Sequence, residues 1–236
     1  MGTSRGGRLC ALVACAGMGG ACASYRPPFT QPSSASVPAD THQATLVFLW
    51  PLTSCDPGGY YTLATTEGRF VGNVAAGTQL RVTVPAGERT VVGWNEQQEV
   101  ARGAVIKGAV SVLHASLAEG RTYYVRMAFG EWDNKGPREV FGVRTAKQLC
   151  IAPDHSMTSA MVVVAPGSEP WKELPGWTVE LEALVPDLAA GQAWLDQHRD
   201  VLQYHRAVGE GRFEGLRPDA KRMATLQAED GTPTSP

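Results

Sequence analysis

The sequence predicts a mainly β fold: an antiparallel β-sandwich or open barrel of about eight strands, followed by a C-terminal amphipathic helix region. Three observations predict it. Short runs of β-branched and aromatic residues recur between residues 44 and 166 with no helical period among them. The 236-residue chain carries 26 glycines and 16 prolines, punctuation that suits many strands joined by turns and argues against a helical bundle. Beyond residue 187 the pattern changes, and Leu188, Leu195 and Leu202 recur at a spacing that places them on one helix face.

The amino terminus comes first. Met1 to Arg8 carry two arginines and no acid, and an apolar run of small residues follows from Leu9 to Ala23. That is the charged start and short apolar stretch of a secretory leader. A spanning helix needs about 20 apolar residues, and this run is shorter and broken by Gly17, Gly19 and Gly20, so it is a poor transmembrane segment.

Within the run, Leu12-Val13-Ala14-Cys15 resembles the lipobox of bacterial lipoproteins, which have an aliphatic residue three before the cysteine and small residues up to it. The resemblance implies that the cysteine is diacylated and becomes the mature N-terminus. Gly19-Gly20-Ala21-Cys22 is a second candidate, with glycine in the aliphatic place but a longer apolar run before it. The leucine favours Cys15. Parity favours Cys22, because cleavage there leaves only Cys55 and Cys150 as further cysteines. No aspartate follows either candidate, which resembles lipoproteins sent on to the outer membrane.

Residues 1–22 are therefore expected to be leader and lipobox. Residues 23–43, rich in Pro, Ser and Thr, are expected to be a disordered tether that cannot bury enough surface to fold. The β-sandwich domain is expected over 44–166, and a helical extension with a flexible tail over 167–236.

The strands follow in order. Ala44–Trp50 is an apolar run stopped by Pro51; Tyr60–Thr66 and Arg69–Val74 flank Glu67-Gly68, a hairpin signal. Thr78–Val84 alternates Leu80, Val82 and Val84 with Arg81 and Thr83, as a half-buried strand does. Pro85–Glu88 is expected to reverse the chain into Arg89–Trp94, and Ala118-Glu119-Gly120 to join Ala109–Leu117 to Arg121–Trp132 as the next pair. Asp133–Gly136 leads into Glu139–Ala146, and Ala160–Pro166 is the last apolar strand. In the extension, Asp187 is the expected N-cap of a helix that Gly209 and Gly211 end, and a second short helix is expected within Arg217–Asp230.

Pro85, Gly87, Gly120, Thr122, Tyr123, Tyr124 and Val125, with the strands around them, resemble the turn and strand motifs of the bacterial domain of unknown function 2846, related to PEGA-like sandwiches. The likeness covers about residues 44 to 165. It implies a β-sandwich in an envelope lipoprotein and no particular reaction.

Candidate chemistry is sparse. Cys55 and Cys150 lie in turn-rich segments, and an oxidising compartment would let them pair as a disulfide. The five histidines show no ligand spacing: His198 and His205 lie two helical turns apart, about 10.5 Å along an axis. No metal, cofactor or catalytic residue is expected, since no nucleophile elbow and no Cys-plus-His signature occurs. The formal charge of −2 becomes −4 once Arg5 and Arg8 leave with a leader, and no basic block suggests nucleic acid. Trp132, Trp171 and Trp177 are a candidate ligand surface for sugars or peptides, although such tryptophans more often fix a helix or loop to a sheet.

The expectation is a non-catalytic binding or structural module of the cell envelope. It would be held to a membrane, the outer one by the rule above, through a lipid anchor, with envelope proteins or cell-wall glycans as partners. The alternatives are a soluble periplasmic carbohydrate- or peptide-binding protein and an envelope hydrolase.

Overall fold

The first apolar run, Gln43–Trp50 (β2), is buried at all but its first position because both faces of its sheet are covered. Ala44, Leu46, Phe48 and Trp50 face one apolar cluster, and Val47 and Leu49 face another. A strand covered on both sides has no solvent face to keep polar, so its sequence reads as a continuous apolar run. The computed structural model describes residues 27–33, 42–51, 59–95, 100–101, 104–105, 110–133, 136–139 and 158–234.

Two sheets stack on each other. The larger has eight strands, with β1 (Thr30–Pro32), β13 (Glu182–Pro186), β5 (Thr78–Pro85), β2 and β10 (Arg121–Asp133) side by side. β10 is 13 residues long and also pairs with β11 (Gly136–Glu139), β12 (Thr158–Val163) and β15 (Thr232–Pro233). The smaller sheet runs β14 (Thr225–Leu226), β9 (Val110–Leu117), β6 (Gly87–Asn95), β3 (Tyr60–Thr65) and β4 (Phe70–Ala75). A separate two-stranded ribbon joins β7 (Val100–Ala101) to β8 (Ala104–Val105).

The main core lies between the sheets. Leu46, Phe48, Leu80 and Val125 of one sheet meet Tyr61, Leu63, Val91 and Leu113 of the other. Helices cover the outer faces. Helix α1 (Glu169–Glu180) lays Leu174 and Trp177 on Val47, Leu49 and Val164 of the larger sheet. Helices α2 (Leu188–Gln197) and α3 (Arg199–Glu214) lay Leu195 and Leu202 on Ala64, Phe70, Val92 and Trp94 of the smaller one. A last short helix, α4, spans Pro218–Met223.

The mainly β, antiparallel expectation is corrected to a mixed α/β architecture of helix, sheet, sheet and helix. Both sheets are mixed: β2 pairs parallel with β10, β13 with β5, and β14 with β9. Among the described strands no ladder joins one sheet to the other, so they form a sandwich and not a barrel.

The physical reason lies in the turns. Glu67-Gly68 closes a true hairpin of β3 and β4. Pro85–Gly87 and Ala118–Gly120 do not, because each carries the chain from one sheet to the other. Gly87 at φ +106° and Gly120 at φ +66° make these corners in a region that glycine occupies without strain. The residues that suit a reversal also suit a corner, so local sequence does not tell them apart.

The expected boundaries shift as well. Residues 30–32, inside the expected tether, form β1 and pair with β13 from Thr30↔Pro186 to Pro32↔Leu184. The expected helical extension supplies β13, β14 and β15 to the two sheets, and its last turns are ordered as far as residue 234. Asp187 does cap α2, its Oδ1 accepting from the Ala190 N–H at 3.0 Å. The expected single helix breaks at His198, and Gly209 and Gly211 sit inside α3 without ending it. Among the described residues, no helix is long and apolar enough to cross a membrane.

Candidate functional site: a cavity at the end of the sandwich

The β3–β4 hairpin and the β5–β6 corner lie at the same end of the sandwich, and between them a cavity of about 320 Å³ opens. Its floor is the end of the packed core, where Leu46, Val71, Val82 and Val91 are each no more than 4% exposed. Val84, Pro85 and Leu188 give its open apolar lining, with the hydroxyl-bearing Thr65 and Thr83 beside them. A concave volume of this size with apolar and polar lining together suits a small ligand.

The polar groups sit at the mouth. The hairpin turn brings Glu67 and Arg69 there, closed by Thr65 N–H to Arg69 O at 2.8 Å and Gly68 N–H to Thr65 O at 3.0 Å. Arg89 comes from the opposite corner, its guanidinium donating to Glu88 O at 2.8 Å and Ala86 O at 3.4 Å. Partial burial raises the Glu67 carboxyl, but hydrogen bonds from Thr65, its own N–H and the Thr66 hydroxyl, with the charge of Arg89, outweigh this and hold it below its ordinary value. Glu67 is thus an anion with its charge compensated by neighbours. The Arg69 side chain has no hydrogen-bond or ion-pair partner among the described residues. At the rim, Leu188 is 48% exposed, an apolar side chain that its own domain does not cover.

Helix α2 fixes the hairpin's position. The Gln192 side chain accepts from Phe70 N–H at 2.9 Å and donates to Gly68 O at 2.9 Å, pairing with the backbone on either side of Arg69. Gly191 lets the helix approach, since a Cβ there would lie 2.1 Å from Cε1 of Phe70. Phe29 packs edge-on against Phe70 with centroids 6.0 Å apart, and its carbonyl accepts from Asp187 N–H at 2.8 Å. The chain therefore joins the domain beside the cavity's rim.

Of the candidate residues drawn from sequence, Trp171 and Trp177 lie elsewhere. Cys15, Cys22, Cys55 and Cys150 are outside the described residues. Trp132 lies on β10, where the backbone alone is described. Trp177 is 7% exposed, buried beneath α1 with the guanidinium of Arg126 4.3 Å from its ring centroid. Trp171 meets Tyr124 edge-on at 5.9 Å. Trp171 and Trp177 thus fix α1 to the larger sheet, the role such tryptophans more often have, and Trp177 presents little surface to a ligand.

Three histidines line the seam between the helices and the smaller sheet. His198 stacks on Trp194, His205 on Trp94, and His114 meets Phe213 while its Nδ1 lies 3.2 Å from the Thr90 hydroxyl. They are packing residues of that seam. Among the described residues, no group of three or more His, Cys, Asp or Glu is placed to hold a metal ion.

Arg69, Arg89 and Gln192 were not singled out by sequence, because an isolated arginine in a turn carries no motif. The one available signal was Glu67-Gly68-Arg69 at a hairpin opposite Pro85–Arg89, and its use requires knowing that the two turns share an end. Compared with protein-family models, curated proteins and solved structures, the chain matched none.

Proposed function

We propose that this chain is an envelope lipoprotein, acylated at Cys15 or Cys22, whose folded domain is a non-catalytic binding module with its ligand held in the cavity at the end of the sandwich. The observation that carries the binding reading is the cavity of about 320 Å³ with Arg69 and Arg89 at its mouth. The anchor reading rests on the arginine-led apolar run and the lipobox-like residues before each cysteine.

The fold adds a constraint on that anchor. With β1 part of the domain, only the stretch before Pro27 remains as a tether, spanning at most about 40 Å from Cys15 or about 17 Å from Cys22. A multiply acylated cysteine gives firm attachment, so the domain would lie close over the bilayer.

Labelling with radioactive palmitate, with and without globomycin, tests the anchor. The expected result is a labelled protein that loses label and membrane association in the Cys15→Ala, Cys22→Ala double variant. An unlabelled protein whose double variant still sediments with membranes refutes it.

A further inference from the structure

We propose that the cavity end of the sandwich is the surface that meets the bilayer, with Leu188 and Arg69 set against an anionic layer of lipid headgroups. The inference rests on the reading of the chain as an acylated lipoprotein and adds which face of the domain the membrane touches.

The place where the chain enters the fold argues for this end. Phe29 touches the neighbour of each rim residue: its carbonyl accepts from the N–H of Asp187, which precedes Leu188, and its ring packs on Phe70, which follows Arg69. This entry is a fixed point. Phe29 holds a φ of +54°, a region unfavourable to a bulky side chain, and is kept there by its ring contacts with Phe70 and Trp194 and by the Thr30 hydroxyl, which donates to Pro27 O at 2.6 Å. A lipid-bearing cysteine therefore draws the domain down by this end. From Cys22 the chain before Pro27 reaches at most about 17 Å, while β5 alone is about 23 Å long, so the domain cannot be inverted over that length. From Cys15 the reach of about 40 Å permits either end, and the chemistry of the rim decides.

That chemistry suits a headgroup layer. Leu188 is 48% exposed and Pro85 is exposed with it, apolar groups that the boundary of headgroups and acyl chains accepts better than water does. The acids of this end are occupied or turned away. Glu67 is held by the threonines of its turn and by Arg89, and Asp187 caps α2. Glu88 lies on the side of its strand that carries Thr90 and the contact with His114, away from the cavity. Arg69 remains as a guanidinium with no protein partner among the described residues, and Arg26 of the incoming chain adds a second positive charge. A planar guanidinium pairs with phosphate through parallel N–H donors.

The test is photo-crosslinking of the acylated chain, purified from membranes, in vesicles of phosphatidylcholine with or without phosphatidylglycerol and a trace of tritiated phospholipid. Benzoylphenylalanine replaces Leu188 or, as the control, Val179, which is 84% exposed and lies at the opposite end of β5, just before the Glu182↔Thr78 pair. Crosslinking to lipid is expected at 188 and not at 179. The yield at 188 should rise a few-fold with phosphatidylglycerol, and Arg69→Gln, an exposed substitution, should remove that rise. Equal yields at the two positions, or a greater yield at 179, overturn the assignment of this face while the anchor stands. A rise that survives Arg69→Gln overturns the contact of Arg69 with the headgroups. If the purified chain carries no acyl group and does not bind the vesicles, the anchor reading falls and this inference with it.

Discussion

The imidazole of His205 lies flat on the indole of Trp94, ring centroids 5.3 Å apart and planes 16° from parallel. This stack joins α3 to the smaller sheet, and burial together with the nearby charge of Arg212 pushes the imidazole down to about 4. His114, on the same sheet, is also lowered by burial, against the opposing pull of Glu210, Glu214 and Glu88 and with a small contribution from Lys221.

The pH dependence follows from the direction of these shifts. In the unfolded chain a histidine takes up a proton near 6.5, whereas the folded seam resists until lower pH. Stability is therefore complete above 6.5 and falls as pH drops through the window from 6.5 to about 4. For His205, which is partly exposed, the loss should be about 2 kcal/mol after allowance for solvent screening. Urea unfolding at pH 7.0 and pH 5.0 measures it. His205→Phe keeps the stack and should flatten the slope by about one proton; an unchanged slope would assign the effect to other groups.

Helical glycines should divide by what stands opposite them. A Cβ at residue 191 would sit 2.1 Å from Cε1 of Phe70, and one at residue 209 would sit 2.5 Å from Cγ2 of Val112. Gly191→Ala and Gly209→Ala should each cost about 2 kcal/mol through overpacking. Gly211 faces open space, so Gly211→Ala should gain about 0.5–1 kcal/mol from helix propensity. Chemical denaturation of the three variants provides the comparison, and equal signs at 191 and 211 would contradict it.

Near the end of the chain, Asp230 accepts from both guanidinium nitrogens of Arg222, at 2.8 and 3.1 Å, and from Gln227 N–H at 2.8 Å, while only 5% exposed. Asp230→Ala leaves a backbone donor and a charged group without their acceptor and should cost about 2–3 kcal/mol. Thermal unfolding of the variant measures the loss. A change below about 0.5 kcal/mol would mean that this turn is not coupled to the sheets.

Trp177→Ala should cost about 3–4 kcal/mol, because it empties a buried site beneath α1 and removes the ring over which Arg126 sits. Trp171→Ala should cost about 1 kcal/mol, the value of a partly exposed edge contact with Tyr124. Neither ring lines the cavity, so a fall in stability without a change in the sheets' far end is the expected result, read as a lower unfolding midpoint in urea.

Most of the described strands were legible, because alternation and β-branched runs report directly on half-buried or fully buried backbone. Thr78–Val84 is a clear case, with Leu80 and Val82 inward and Arg81 half-exposed. What was not legible was partnership. Whether Gly87 makes a hairpin or a corner depends on strands that are distant in sequence, and β1 is a three-residue strand of polar residues and proline, with Phe29 just before it packed on the apolar cluster beneath α2 and α3. The glycines of α3 read as terminators by local rules, yet Gly209 is required by the closeness of Val112. The cavity was hidden for the same reason, since its lining comes from five strands and a helix and its mouth from two separate turns.

The pairing of β14 with β9 and of β15 with β10 has a consequence for biogenesis. Tyr123, in the centre of the core, receives its hydroxyl partners from Ala118 N–H and Ala228 O, and Arg121 donates to Gly231 O. Until residues 225–233 leave the ribosome, β9 and β10 each lack part of a neighbour, and a buried phenol lacks its acceptor. Folding in order of synthesis therefore leaves an unfinished edge on each sheet until residues 225–233 have emerged and paired with β9 and β10.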